Sequence, residues 1–350
     1  MSRDNSNQWR VFVTRPIADA PLRRLARVAR VDLWDDNMPP PPDEIRLRLR
    51  GTDAVLSLLT DRIDAETIAS APRLRVISNM AVGVDNIDVG AATRAGIPVG
   101  HTPGILTETT ADLAFALLMA AARRVVEGDR HVRANRWRTW GPQTLLGHDV
   151  FGATLGIIGW GAIGQAMARR AAGFNMKVLY TAHRPAAGKA RKSHVSREIP
   201  AGPPSAPRRV SLPRLLAESD FISLHVPLTA ETRHLLGAHE FARMKRSAIV
   251  VNTSRGPVID QAALAAALRT GRIAGAALDV TDPEPIAPDD PLLELENVVI
   301  TPHIGSASYA TREMMANVAV ENILAVMAGR LPPFCANPAV RLRPSTANRA

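Results

Sequence analysis

Three side chains in the second half of the chain could act together on a carbonyl group: Arg255 in NTSRGPV, Glu284 in DVTDPEP and His303 in TPHIGS. A histidine can give a proton to a carbonyl oxygen or take one from the alcohol. A carboxylate beside it holds the imidazole orientation and favours its charged form. A guanidinium binds a carboxylate through two parallel hydrogen bonds and can polarise the carbonyl next to it. Any one of the three alone is an ordinary structural residue. Grouped around a nicotinamide, they suit hydride transfer to a carbonyl.

A site for such a cofactor is legible in Thr154–Arg170, TLGIIGWGAIGQAMARR. Thr154–Ile158 is a short apolar, partly β-branched run that reads as a buried strand. Gly159, Gly161 and Gly164 then give G-x-G-x-x-G and lead into a helical pattern. The first glycine permits a tight turn, the second lets the backbone approach a pyrophosphate, and the third lets helix and strand pack closely. The helix start at Ala162, Ile163 and Gly164 offers unpaired N–H groups to phosphates. The motif alone is weak, but here it has a strand before it and a helix after it.

These groups need a scaffold that delivers them to one edge. Residues 1–102 alternate strand-like runs (Trp9–Thr14, Val31–Trp34, Ala54–Leu59, Leu74–Met80, Ile97–Gly100) with helical ones (Pro21–Ala29, Asp43–Arg50, Ala65–Ala71, Val89–Ala95). After Thr154 the alternation resumes, with strands expected at Lys177–Thr181, Phe221–Val226, Ala248–Asn252, Gly275–Val280 and Val298–Thr301. Such alternation implies an α/β protein with two doubly wound parallel sheets. Ligands bind at the C-terminal ends of the strands in such sheets. Pro227, Thr253, Ser254, Arg255, Asp282, Glu284 and His303 all follow expected strands, as does the loop Ala81–Asp85. If the strands of the second half are parallel, its loaded residues share an edge with the glycine loop. Thr107–Arg124 reads as a long helix buried nearly all round, and Arg312–Met327 as another helix. Trp137 and Trp140 lie in a polar stretch, which suggests an interface or a small satellite core. Residues 185–210 are basic, rich in Pro and Gly and aperiodic, and read as a surface insert.

Composition narrows the field. A chain of 350 residues with 46% hydrophobic and 22% charged residues suits a globular protein of two domains. A single cysteine, Cys335, excludes an intrachain disulfide and suggests a reducing compartment, the cytoplasm. The start MSRDNSNQWR lacks the apolar core of a signal peptide. The longest apolar stretch, Leu113–Ala122, is too short to span a bilayer. The net charge of +10 raises the question of an anionic partner. The arginines are scattered, however, with no aromatic-rich basic stripe, so neither nucleic acid nor membrane is expected as a partner. No metal site is expected.

At the level of whole motifs the chain resembles the D-isomer-specific 2-hydroxyacid dehydrogenase family. The phrases are NMAVGVDNID, TPGILTETTADLAFALLMAAARR, GWGAIGQ, HVPLTAETRHLL, VNTSRGPVID, ALDVTDPEP and TPHIGSAS, spread over nearly the whole chain. The resemblance implies a flavodoxin-like substrate domain, 1–102 plus 305–350, and a Rossmann cofactor domain, 103–304. The active site would lie in the cleft between them. It implies Arg255, Glu284 and His303 as the catalytic set, the N–H groups of Val82 and Gly83 on the substrate carboxylate, and Asp279 on the nicotinamide carboxamide. Residues 123–147 resemble the family's dimerisation arm, so a homodimer is implied. LSLLTDRID, RWRTWGP and DPEPIAPDDPLL resemble the glyoxylate/hydroxypyruvate reductase branch, in which Leu59 would line the pocket and Trp140 of the partner subunit would reach the site. The substrate implied is a small 2-ketoacid. A 2-ketogluconate reductase or another D-2-hydroxyacid dehydrogenase is one alternative, and a corepressor-like, nucleotide-sensing binding protein is the other.

The resemblance extends the cofactor contacts to Val226, Asp279 and Gly305, beside the strand-following Pro227, Thr253, Ser254, Arg255 and His303, with Ala182, His183 and Arg184 expected at the adenosine end. An NAD site places an acid about 20 residues after the glycines, bonded to the ribose 2′-OH. Ala182 stands in its place, and His183 and Arg184 could bind a 2′-phosphate. NADPH is therefore favoured, with NADH possible.

Overall fold

The structure is a computed structural model that describes residues 8–182 and 206–342. The chain divides into two compact units, Met1–Leu106 with Ala307–Ala350, and Thr107–Ser306.

In the first unit the strands are β1 (Arg10–Val13), β2 (Arg30–Leu33), β3 (Ala54–Ser57), β4 (Val76–Asn79) and β5 (Val99–Gly100). They form a parallel sheet in the order β2-β1-β3-β4-β5. Helices α1 (Asp19–Ala26), α2 (Pro42–Leu49), α3 (Ala65–Ala69), α4 (Val89–Arg94) and α11 (Tyr309–Met327) belong to the same unit. Strand residues alternate between two cores. Val11, Val13 and Leu56 pack with Leu25 of α1 and Met315, Ala319 and Val320 of α11. Phe12, Val55 and Ile77 pack with Ile45, Leu49, Ile68 and Ala91 on the other face. Covering both faces is why β3 reads as a continuous apolar run. Each such side chain contributes roughly 1.5–3 kcal/mol. Asp64, Asp88 and Ser308 cap α3, α4 and α11 by accepting from the amides of Thr67, Ala91 and Thr311.

In the second unit β6 (Thr154–Ile158), β7 (Lys177–Thr181), β8 (Arg208–Arg209), β9 (Phe221–Leu224), β10 (Ile249–Asn252), β11 (Gly275–Leu278) and β12 (Val298–Ile300) form a parallel sheet. Its order is β12-β11-β10-β9-β6-β7-β8, with the reversal between β6 and β9. Helices α5 (Thr107–Ala122) and α7 (Ala162–Ala172) lie on one face, through Ala114, Leu118, Met167 and Ala171. Helices α8 (Leu212–Glu218), α9 (Ala238–Phe241) and α10 (Gln261–Arg269) lie on the other, through Leu215, Phe241 and Leu264. Helix α6 (Val125–Arg133) buries no residue.

Four expectations are corrected. Strand β9 stops at Leu224 and β11 at Leu278, short of Val226 and Val280, because their register partners Ile158 and Asn252 are the last residues before the neighbouring loops turn away. Arg208–Arg209 form an edge strand where an aperiodic insert was expected. They pair with Leu179 and Tyr180 through backbone alone, and their exposed side chains leave no apolar pattern. The rest of that insert falls outside the described residues up to Pro204–Ser205. Helix α5 is not buried all round: Glu108 and Asp112 face outward and pair with Arg169 and Arg170 of α7. Trp137 and Trp140 are 62% and 79% exposed, which excludes a satellite core around them. No helix among the described residues is long and apolar enough to cross a membrane.

Candidate active site

His303 sits in the loop after β12, with left-handed backbone (φ 53°). Its Nδ1–H donates to Glu284 Oε1 at 2.5 Å. That leaves Nε2 as the ring nitrogen for proton transfer. Both side chains stay reachable, at 22% and 32% exposure. The loop is held from below by Asp279, which is 1% exposed. Its carboxylate accepts from Thr301 Oγ1 (2.6 Å), Ile304 N (2.8 Å) and Gly305 N (2.7 Å). The loop carrying Glu284 is braced by Gln261, whose Oε1 accepts from Asp282 N at 2.8 Å and whose Nε2 donates to Asp290 Oδ2 at 2.6 Å.

Arg255 follows β10. Asn252 shapes that turn: its Oδ1 accepts from Ser254 N (3.0 Å) and Oγ (2.7 Å), and its Nδ2 donates to Arg255 O (2.9 Å). A Cβ on Gly256 would stand 1.9 Å from Thr281 O, so only glycine lets this loop press against the start of the loop that carries Glu284. Arg255, Glu284 and His303 thus follow β10, β11 and β12, three neighbouring parallel strands, and share their C-terminal edge.

The glycine loop opens on the same edge of the sheet. Gly159 (φ +103°) has no room for a Cβ, which would meet His225 O at 2.4 Å, and a Cβ on Gly164 would meet Gly159 O at 2.1 Å. A Cβ built on Gly161 would meet nothing within 4 Å among the described residues, so the approach to this stretch of backbone is open. The amides that start α7 have no side-chain cap. Thr253 Oγ1 is buried without a hydrogen-bond partner among the described residues. These features fit a dinucleotide lying across the ends of β6, β9 and β10. Val226 and Pro227 follow β9 at that edge, and Ala182 follows β7 directly. His183 and Arg184 lie outside the described residues. Arg209, which no sequence signal marks as a site residue, stands at this strand end, and its Nη2 donates to Ala182 O at 3.0 Å. Asn252, Gly256 and Gln261 likewise position the site without having been expected there. An Asn two residues before Ser is a turn signal that could have flagged the first.

In the first unit Leu59 follows β3, and Val82 and Gly83 follow β4. Val82 is 37% exposed. Trp140 stands beyond α6 on the second unit.

A family model, the D-isomer specific 2-hydroxyacid dehydrogenase NAD binding domain, matches residues 115–305. A glyoxylate reductase of Korarchaeum cryptofilum is 53% identical over 96% of this chain and 98% of its own. Among solved structures, the TT0316 protein from Thermus thermophilus is 48% identical with a TM-score of 0.84, over 93% of this chain and 99% of that one. An NADPH-dependent glyoxylate/hydroxypyruvate reductase from Sinorhizobium meliloti, in complex with NADP and malonate, is 28% identical with a TM-score of 0.83, over 97% of this chain and 100% of that one.

Proposed function

This chain belongs to the D-isomer specific 2-hydroxyacid dehydrogenase family, and from that premise we propose that it reduces glyoxylate or hydroxypyruvate to the corresponding 2-hydroxyacid, the D-isomer where the product is chiral. The observation that carries the reading is the His303–Glu284 pair on the strand edge shared with Arg255 and the glycine loop. Arg255 takes the substrate carboxylate through its fork, helped by the amides of Val82 and Gly83, and Leu59 lines the pocket. A bound reduced nicotinamide supplies the hydride to the carbonyl carbon. His303 gives its Nε2 proton to the carbonyl oxygen as charge develops there. Glu284 holds the ring through Nδ1 and stabilises the imidazolium before transfer. In the reverse direction His303 takes the alcohol proton. Asp279 keeps one lone-pair direction for the carboxamide after its three loop contacts.

In this reading NADPH is preferred over NADH. Ala182 sets no carboxylate against a 2′-phosphate, and the Arg209 guanidinium stands at the same strand end. The protein acts as a homodimer, a reading supported by the exposed apolar side chains of Val125, Val132, Trp137 and Trp140, and Trp140 of the partner subunit completes the pocket. The single cysteine suits the reducing cytoplasm.

Steady-state reduction of glyoxylate, hydroxypyruvate and 2-ketogluconate, each with NADPH and NADH, tests the assignment. The highest kcat/KM is expected for glyoxylate or hydroxypyruvate with NADPH. A highest value for 2-ketogluconate overturns the substrate. No turnover of any of the three overturns the glyoxylate/hydroxypyruvate assignment.

A further inference from the structure

The four carbonyls of Ala81–Val84, in the loop after β4, are all turned back into their own unit. Thr102 N donates to Ala81 O (2.8 Å) and Ile87 N to Val84 O (3.0 Å). His101 Nδ1–H donates to Val82 O at 2.9 Å. Asn79 Nδ2 donates to Gly83 O at 3.0 Å. In a trans peptide the C=O and the next N–H point in opposite directions. Fixing Ala81 O therefore aims the Val82 N–H, and fixing Val82 O aims the Gly83 N–H. Neither amide donates to any other described residue. Two successive free amides with their carbonyls anchored behind them make an anion-binding concavity.

The anchors are themselves rigid. Asn79 is wholly buried, and its Nδ2 also donates to Asn86 Oδ1 (3.1 Å). Asn86 Nδ2 in turn donates to Leu58 O (3.0 Å) and Asp61 O (2.8 Å), on either side of Leu59. The His101 backbone is held on both sides: its N donates to Phe334 O at 3.0 Å and its O accepts from Asn322 Nδ2 at 3.1 Å. Of the anchoring groups, only the His101 ring is a side chain that reaches the loop from a different strand.

We infer that His101 is a positioning residue for the substrate carboxylate: through Val82 O it aims the Gly83 N–H at that group. The inference rests on the proposed reading that these amides take the carboxylate, and it adds the residue that tunes the preference for carboxylate-bearing substrates. Donors set in advance bind developing or resident charge without reorganising at the moment of binding. Removing the prop frees the Val82–Gly83 peptide to rotate and weakens one charge-assisted hydrogen bond.

Two measurements separate the inference from the reading it stands on. Oxamate, a 2-ketoacid mimic, is titrated into NADPH-saturated protein labelled with 15N-valine and 15N-glycine. Shifts at the Val82 and Gly83 amides are expected, and their absence overturns the reading and the inference together. Kinetics of His101→Leu then test His101 itself. KM for the ketoacid should rise about tenfold, as for one weakened charge-assisted bond, with kcat and KM for NADPH changed less than about twofold. His101→Asn, whose Nδ2 occupies the place of Nδ1, should restore KM to within about twofold. His101→Ala, which removes the donor without adding a charge, stands in for Leu if that variant does not fold. An unchanged ketoacid KM beside intact amide shifts overturns His101 alone. Parallel losses in kcat, cofactor KM and thermal stability, unrescued by Asn, reduce it to an ordinary structural residue.

Discussion

His225 makes acid stability a direct test of the second unit. Its ring lies at the end of β9, where Nε2 meets Ser223 Oγ at 2.8 Å, and its carbonyl backs onto Gly159. Burial pushes its pKa down from 6.5 to about 4. Between those values the folded chain binds fewer protons than the unfolded one. The contribution is therefore whole above pH 6.5 and is lost progressively as the pH falls toward 4. At about 1.4 kcal/mol per pH unit, the full interval is worth roughly 3 kcal/mol, and the part above pH 5 roughly 2 kcal/mol. These are upper figures, because the residue keeps some contact with water. The assay is urea unfolding of cofactor-free protein at about pH 7 and pH 5, followed by tryptophan fluorescence. Trp160, stacked on Tyr180 at 3.9 Å, reports from the same unit. His225→Gln should lose about 2 kcal/mol less than the parent over that interval, whatever its stability at pH 7. Carboxylates titrate in both proteins and cancel in the difference. Parallel pH profiles for the two proteins would refute the argument.

Four further outcomes follow from the site. His303→Ala should lower kcat by roughly 10²–10⁴-fold while NADPH still binds in a fluorescence titration; near-full kcat removes it as the acid/base. Arg255→Lys keeps the charge but loses the fork, so 2-ketoacid reduction should suffer more than reduction of plain aldehydes, and an unchanged ratio rules out its role as carboxylate reader. Gly164→Ala should cost about 1–3 kcal/mol in thermal unfolding, since its Cβ meets Gly159 O at 2.1 Å; Gly161→Ala, with open space, should spare the melting temperature and raise only KM for the cofactor. Ala182→Asp combined with Arg209→Ala should turn the preference toward NADH, since a charge-assisted contact to a 2′-phosphate is worth roughly 10- to 150-fold; a parent enzyme that already prefers NADH overturns the reading of that strand end.

Much of the molecule was written in local pattern. Strands covered on both faces appear as short apolar runs, so β1, β3, β6 and β10 stood out without neighbours to compare. The glycine loop was legible because its spacing answers a backbone constraint of a few residues, a turn and two close approaches. Arg255, Glu284 and His303 could be grouped because parallel strands bring every strand-following residue to one edge. Pairing, in contrast, is decided elsewhere in the chain. Arg208–Arg209 became a strand only because the β7 edge offered backbone partners, and no property of two arginines announces that. The same holds for the groups that aim the chemistry. Asp279 was expected as a cofactor contact, yet most of its hydrogen-bonding capacity goes to the loop of His303, more than twenty residues away. His101 meets Val82, and Asn322 meets His101, across separations that composition and spacing do not encode. Residue type and periodicity settle which segments are buried and where the turns fall, because those depend on adjacent residues. Which donor faces which acceptor depends on the register of whole sheets, and that exists only once the chain has folded.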